Sequence, residues 1–191
     1  MTYYEILKFL HVLAAIIWLG GGFMILTLVV RAQRADDGLL LKKLAENTKW
    51  LAQRIFIPSS LAVLVLGILA TIEGPWSFGD LWIVLGLAGY AVSFLTGILF
   101  LEPEGKRIDA AMTAHGPGSP QAAHHVRRIN VVQRMEMVIL FLVVAVMALK
   151  PTGDDTGTLL LGAAIVLATL VVGARGLSGG PSASDAAPAT D

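Results

Sequence analysis

The sequence predicts an all-α, polytopic membrane helical bundle with five transmembrane helices, on three observations. Of its 191 residues, 55% are hydrophobic and 15% charged, whereas an average soluble domain carries about 25% charged residues. Mean hydropathy is +0.73. Five apolar stretches each reach the roughly 17–25 residues that a helix needs to cross hydrocarbon.

The first stretch covers about residues 4–30. A cleavable signal peptide would have an apolar region of about 7–15 residues followed by a small-residue cleavage site. Phe9 to Val30 is longer, no such site follows, and His11 lies inside it, so the stretch reads as a retained helix. The second covers about 55–72, and Leu40, Leu44 and Leu51 before it fall at helical spacing, which starts that helix ahead of the membrane. Pro58 cannot donate to the carbonyl of Arg54, so a kink is expected there, with Ser59 and Ser60 able to compensate. The third covers about 81–101 and continues past Pro103 through Ile108 and Met112. The fourth covers about 131–149, with a helical start near Gln121, and the fifth about 158–174. Glu73-Gly74-Pro75, Gly116-Pro117-Gly118 and Lys150-Pro151-Thr152-Gly153 punctuate the breaks.

The first four helices are expected to form the core. The fifth, rich in small residues, can lie at its edge. Residues 1–175 read as a single transmembrane domain. Residues 176–191 are Ser, Gly, Ala, Pro and Asp with few large apolar residues, the composition of a disordered cytoplasmic tail.

Lysine and arginine set the orientation. Twelve fall in or beside the two long connections and after the fifth helix, and only Lys8 and Lys150 on the other side. The N-terminus is therefore expected outside and the C-terminus in the cytoplasm. With acidic residues assigned the same way, the outer side sums to −3 and the inner side to +3. A formal net charge of zero thus describes a dipole across a bilayer, and it offers no whole-chain basic excess for nucleic acid. The absence of cysteine excludes disulfides, thiolate catalysis and cysteine-ligated clusters. Tyr3, Tyr4, Trp76 and Trp82 on one side and Trp50 on the other fall where interfacial aromatic residues belong.

His11 is the most informative residue. It lies roughly 10 Å down the first helix, where an ionisable group is costly and is a functional candidate by default. Ala15, Trp18, Gly22 and Ile25 continue its face. Two readings stay open: a cofactor-binding groove of His11, Trp18 and Gly22, or a neutral imidazole bonded to a neighbouring helix. Gly20-Gly21-Gly22, and Gly86, Gly89 and Gly97 on the third helix, permit close helix packing.

A second polar cluster is expected at the cytoplasmic mouth: Arg54, Glu102, Asn130, Arg134 and Glu136. Pairing of Arg134 with Glu102 and of Glu136 with Arg54 gives a static ion-pair lock; an anionic ligand site or proton entry is the alternative. His124-His125 beside Arg127-Arg128 reads as a basic patch facing lipid head groups. No nucleotide loop, metalloprotease motif or nucleophile elbow is present, so no catalytic residues are assigned.

The stretch Leu10-His11-Val12 through Trp18-Leu19-Gly20-Gly21-Gly22 resembles the opening helix of small bacterial membrane proteins related to HemJ and CopD. Asn130 through Lys150-Pro151 is similar to an uncharacterised branch of that group, a predicted integral membrane family. The resemblance implies a bacterial inner-membrane protein with His11 as a haem b iron ligand, in proteins linked to protoporphyrinogen oxidation or copper uptake. Thr27 stands where HemJ-type proteins carry arginine, and the third helix lacks their lysine. The expected function is therefore an intramembrane His11-centred site for haem or another redox or metal cofactor. Met147, Lys150, water or another subunit would be the sixth ligand, or the iron would remain five-coordinate. The alternatives are an accessory or scaffold subunit packed against a membrane partner or a second copy, and a small proton or solute transporter.

Overall fold

A computed structural model describes residues 2–35, 37–116 and 119–178, and contains helices and no strands among them. Their order is α1 (Tyr3–Arg34), α2 (Gly38–Leu51), a π-helical turn (Ala52–Phe56), α3 (Ile57–Glu73), α4 (Leu81–Thr96), a second π-helical turn (Gly97–Leu101), α5 (Glu102–His115), α6 (Pro120–Leu149) and α7 (Thr156–Ser178). Five continuous rods are long and apolar enough to cross a membrane: Tyr3–Arg34, Ala52–Glu73, Leu81–His115, Pro120–Leu149 and Thr156–Ser178. α2 and α5 extend from one end of the bundle, the stalk end; short turns close the other, the turn end.

Three helices, α1, α2 and α6, begin where the sequence supplies side-chain acceptors for orphan backbone N–H groups. Thr2 and Glu5 form a capping box, the Thr2 N–H donating to Glu5 Oε2 at 2.7 Å and the Glu5 N–H to Thr2 Oγ1 at 3.3 Å. Asp37 Oδ1 accepts from the Leu40 N–H at 2.9 Å, and Ser119 Oγ from the Ala122 N–H at 3.3 Å. Before α7, the Thr152 N–H and hydroxyl both donate to Asp155, holding its carboxyl below the usual carboxylate range.

Both prolines that interrupt long rods are handled alike. Pro58 and Pro103 each lie two residues beyond a π turn, in which the Ile57 N–H reaches the Ala52 carbonyl and the Glu102 N–H the Gly97 carbonyl. The wider turn accommodates the ring and the missing donor without ending the helix. Ser59 Oγ donates to the Ile55 carbonyl at 2.6 Å and Ser60 Oγ to the Ile57 carbonyl at 3.0 Å. The expected compensation is present, with its acceptors shifted from Arg54 to neighbouring carbonyls.

Packing is inside-out relative to a soluble bundle. Large side chains such as Phe9, Ile16, Met24, Leu99, Leu161 and Leu167 face outward, while Ala14, Ala32, Ser59, Ser60, Thr71 and Ser93 are buried. Small residues bring helices together where hydrocarbon gives no hydrophobic drive between them. Gly86 seats the Met147 methyl, Gly89 seats Val143, and Gly173 seats Met135; a Cβ at any of the three would overlap its partner. Gly97 has open space. α1 packs on α3 and α6, and α6 on α1, α4, α5 and α7. α7 rests chiefly on α6, outside a four-helix core of α1, α3, α4 and α6. It runs to Ser178, three residues into the stretch expected as a tail; residues 179–191 of that tail lie outside the described residues.

At the turn end, α6 stops at Lys150 in the left-handed conformation (φ 49°), its N–H bonded to the Val146 carbonyl at 2.8 Å. Its ammonium lies 3.8 Å over the Trp76 ring and 5.2 Å from the Trp82 ring centre; the two indoles meet edge-on at 5.1 Å. Trp76 Nε1 donates to Tyr4 Oη at 3.1 Å, tying α1 into the same cluster. Lys150→Ala keeps the backbone cost and removes the cation, so it should lower stability in detergent by about 1–2 kcal/mol. Lys150→Arg should keep most of it, measured by thermal unfolding.

Candidate functional site

His11 is half-buried between α1 and α3. Its Nδ1 lies 2.8 Å from the Val63 carbonyl oxygen. A carbonyl only accepts, so Nδ1 carries the proton and donates, which in the neutral ring leaves the Nε2 lone pair free. Gly67, one turn beyond Val63, makes this possible. A Cβ there would stand 2.9 Å from His11 Cε1 and 3.0 Å from Nδ1, whereas Nε2 would be 3.9 Å away. The ring lies against bare backbone, with Nε2 on its far side and without a hydrogen-bond partner among the described residues.

The rest of the expected groove is distributed over several neighbours. Trp18 meets Tyr90 of α4 with ring centres 5.7 Å apart, and Tyr90 stacks on Phe94 at 6.0 Å. Gly22 lies beneath the Met137 methyl, and Gly21 beneath the Phe56 ring. His11 therefore faces α3, Trp18 faces α4 and Gly22 faces α6.

The polar residues expected at the inner mouth do not form one cluster. Glu102 pairs with Lys106 on its own helix at 2.8 Å, both exposed. Glu136 accepts from the Ser93 hydroxyl at 2.5 Å. Arg54 and Arg134 face outward, and Asn130, 5% exposed, keeps Nδ2 without a partner among the described residues. The expected Arg134–Glu102 and Glu136–Arg54 pairs are thus replaced, and register is the reason. With Ser93 opposite Glu136 and Glu104 opposite His125, Glu102 meets α6 about two turns before Arg134.

The ion-pair centre of the stalk end is Glu104, which sequence reasoning missed. At 1% exposure it accepts from Arg107 at 2.6 Å, sits 3.1 Å from Arg128, and is 2.7 Å from His125 Nδ1. Arg128 also lies 5.4 Å over the Phe100 ring. The basic patch expected to face lipid thus turns two members, His125 and Arg128, inward to clamp α5 on α6. An acidic residue opposite a histidine and arginine one turn apart was the available signal.

Two outcomes follow. Glu104→Ala leaves Arg128 and His125 without their carboxylate and should cost about 3 kcal/mol, with faster proteolysis of α5. Gly67→Ala gains about 1 kcal/mol of helix propensity but forces the imidazole off Val63, a loss of about 1–3 kcal/mol. Net destabilisation is expected in thermal unfolding, whereas Gly20→Ala, which meets no atom within 4 Å, should be neutral or stabilising.

Neither a curated protein nor a solved structure matches the chain. One family does, from the first turn of α1 to the residue after Lys150, which takes in the core helices and leaves out α7. It bears out the resemblance to an uncharacterised integral membrane family. On that match, over residues 5–151, the chain belongs to the family described as predicted integral membrane protein (DUF2269).

Proposed function

We propose that the chain is a bacterial inner-membrane protein whose α1–α3 interface presents His11 Nε2 as a single metal-ligating nitrogen. The observation that carries this reading is the His11–Val63 bond. Histidines that ligate metals characteristically donate their other ring N–H to a carbonyl or carboxylate, which fixes tautomer and ring orientation. Val63 does this for His11, and Gly67 supplies the clearance.

A lone imidazole can hold only a metal that brings its other donors, and porphyrin iron is such a group. The donor chemistry therefore fits haem b, which His11 would hold through Nε2, in keeping with the HemJ-like pattern of helix one. When bound, the group supplies one-electron redox chemistry. Val63 holds the Nδ1 proton and raises the basicity of Nε2, while Trp18 and Gly22 set the packing of α1 against α4 and α6. Met147 and Lys150, the candidate sixth ligands, are engaged with Gly86 and with Trp76. Of this chain's own residues, His11 alone would then hold the group.

The distribution of lysine and arginine supports an N-out, C-in orientation, with the stalk end in the cytoplasm and residues 1–175 acting as one transmembrane domain. Protein purified from haem-replete cells should show a Soret band that is lost in His11→Ala and broadened or shifted in Gly67→Ala. Colourless, folded wild-type protein would sink the haem reading.

A further inference from the structure

Glu136 occupies a second intramembrane setting, on different helices from His11. It lies five residues past Val131, the expected start of the fourth span, hence about 7 Å along the helix. Ser93, 3% exposed, donates its hydroxyl to Oε1. Among the described residues no lysine, arginine or histidine forms an ion pair with Glu136. Oε2 is therefore left to whatever fills the adjoining space.

That space is a cavity of about 140 Å³ between α4, α6 and α7, bordered by Ser93, Thr96, Val132, Met135, Glu136 and Leu170. A water takes up about 30 Å³ of liquid, and a buried one needs two to four polar partners. Thr96 donates its hydroxyl to the Val92 carbonyl and Ser93 donates to Oε1, so the Glu136 carboxyl is the principal polar group facing a space otherwise walled by apolar side chains, with room for a water or two beside Oε2. Other ionisable groups stand apart from this cavity. Tyr90, the only one on α4, is stacked on Trp18 and Phe94. Arg134 is exposed and about 200° round α6 from Glu136. Arg175, the only one on α7, lies five residues beyond Leu170. α1 directs its histidine to α3.

A carboxylate here has one hydroxyl donor and no counter-ion, whereas a protonated carboxyl needs none. We propose that Glu136 is an intramembrane proton-binding site, loaded and unloaded through the space that its carboxyl borders between α4, α6 and α7. On loading, a hydrated proton in the cavity moves to Oε2: the new O–H bond forms as one on water breaks, and the carboxylate charge is cancelled. Unloading is the reverse. The Ser93 hydroxyl stays on Oε1 in both states. The site stands independently of the His11 reading.

Dicyclohexylcarbodiimide, a lipophilic reagent for protonated carboxyls, tests this on the full chain in native membranes. One adduct is expected on the peptide containing Glu136, falling about tenfold per pH unit above its midpoint and absent in Glu136→Gln. Ser93→Ala removes a donor that favours the carboxylate, so it should label more fully than wild type at the same alkaline pH. Infrared difference spectra of the wild type after a pH jump should show a carboxylic C=O band that Glu136→Gln lacks. No adduct at any pH, an adduct indifferent to pH, or protection by sodium at constant pH would each overturn the proposal.

Discussion

Hydrocarbon offers no hydrogen-bond partner, so every polar group that enters it must be satisfied by the chain itself. Helices meet this requirement for the backbone, and the exceptions show how strictly it is kept. At Pro58 and Pro103 the ladder widens into a π turn rather than breaking, and Ser59 and Ser60 return their hydroxyls to nearby carbonyls. Thr27, Thr71 and Thr96 do the same to carbonyls four residues back. Most hydroxyls in the spans are therefore spent within their own helix. Between the stalk-end Glu104 cluster and the turn-end Tyr4–Trp76 pair, His11–Val63 and Ser93–Glu136 are the side-chain hydrogen bonds among the described residues that join two spans through an ionisable group.

The same constraint assigns different roles to the glycines. Gly86, Gly89 and Gly173 accept methyl groups or branched side chains, and their effect is to bring helix axes closer. Gly67 accepts an imidazole. Its missing Cβ shapes the orientation of a polar group, so chemistry at His11 depends on a residue with none of its own. In composition the two kinds of glycine are indistinguishable. Only the partner atom separates them.

This is also why the sequence was legible in some places and opaque in others. Span lengths, breaks and helical stalks follow from hydropathy and from Gly and Pro, which are local, and α1 to α7 appear close to where those features put them. Pairing across helices depends on register, which no local pattern reveals. Glu102 and Glu104 lie two residues apart around Pro103, hence on nearly opposite faces; one meets water and Lys106, the other is buried among Arg107, His125 and Arg128. Glu136 was read as one of a polar cluster and paired with Arg54, but its partner is a serine on α4, and serine carries little weight in a search for charge partners. His11 was identifiable from depth alone, whereas Val63 contributes a backbone carbonyl and leaves no trace in side-chain chemistry.

α7 brings these threads together. It lies beyond the region matched by the family and rests chiefly on α6, held where Gly173 receives Met135 and Gly176 lies beside Val131. Those two contacts fix its register so that Leu170 borders the space beside Glu136. A helix that looks peripheral by composition thus forms the outer wall of the space beside the Glu136 carboxyl, whose other walls belong to the core. Its small residues allow the close approach, and the approach separates a carboxyl from the surrounding lipid. The ionisable centre on α1 and α3 lies within the family's matched region, whereas the environment of the one on α4 and α6 is completed by a helix outside it.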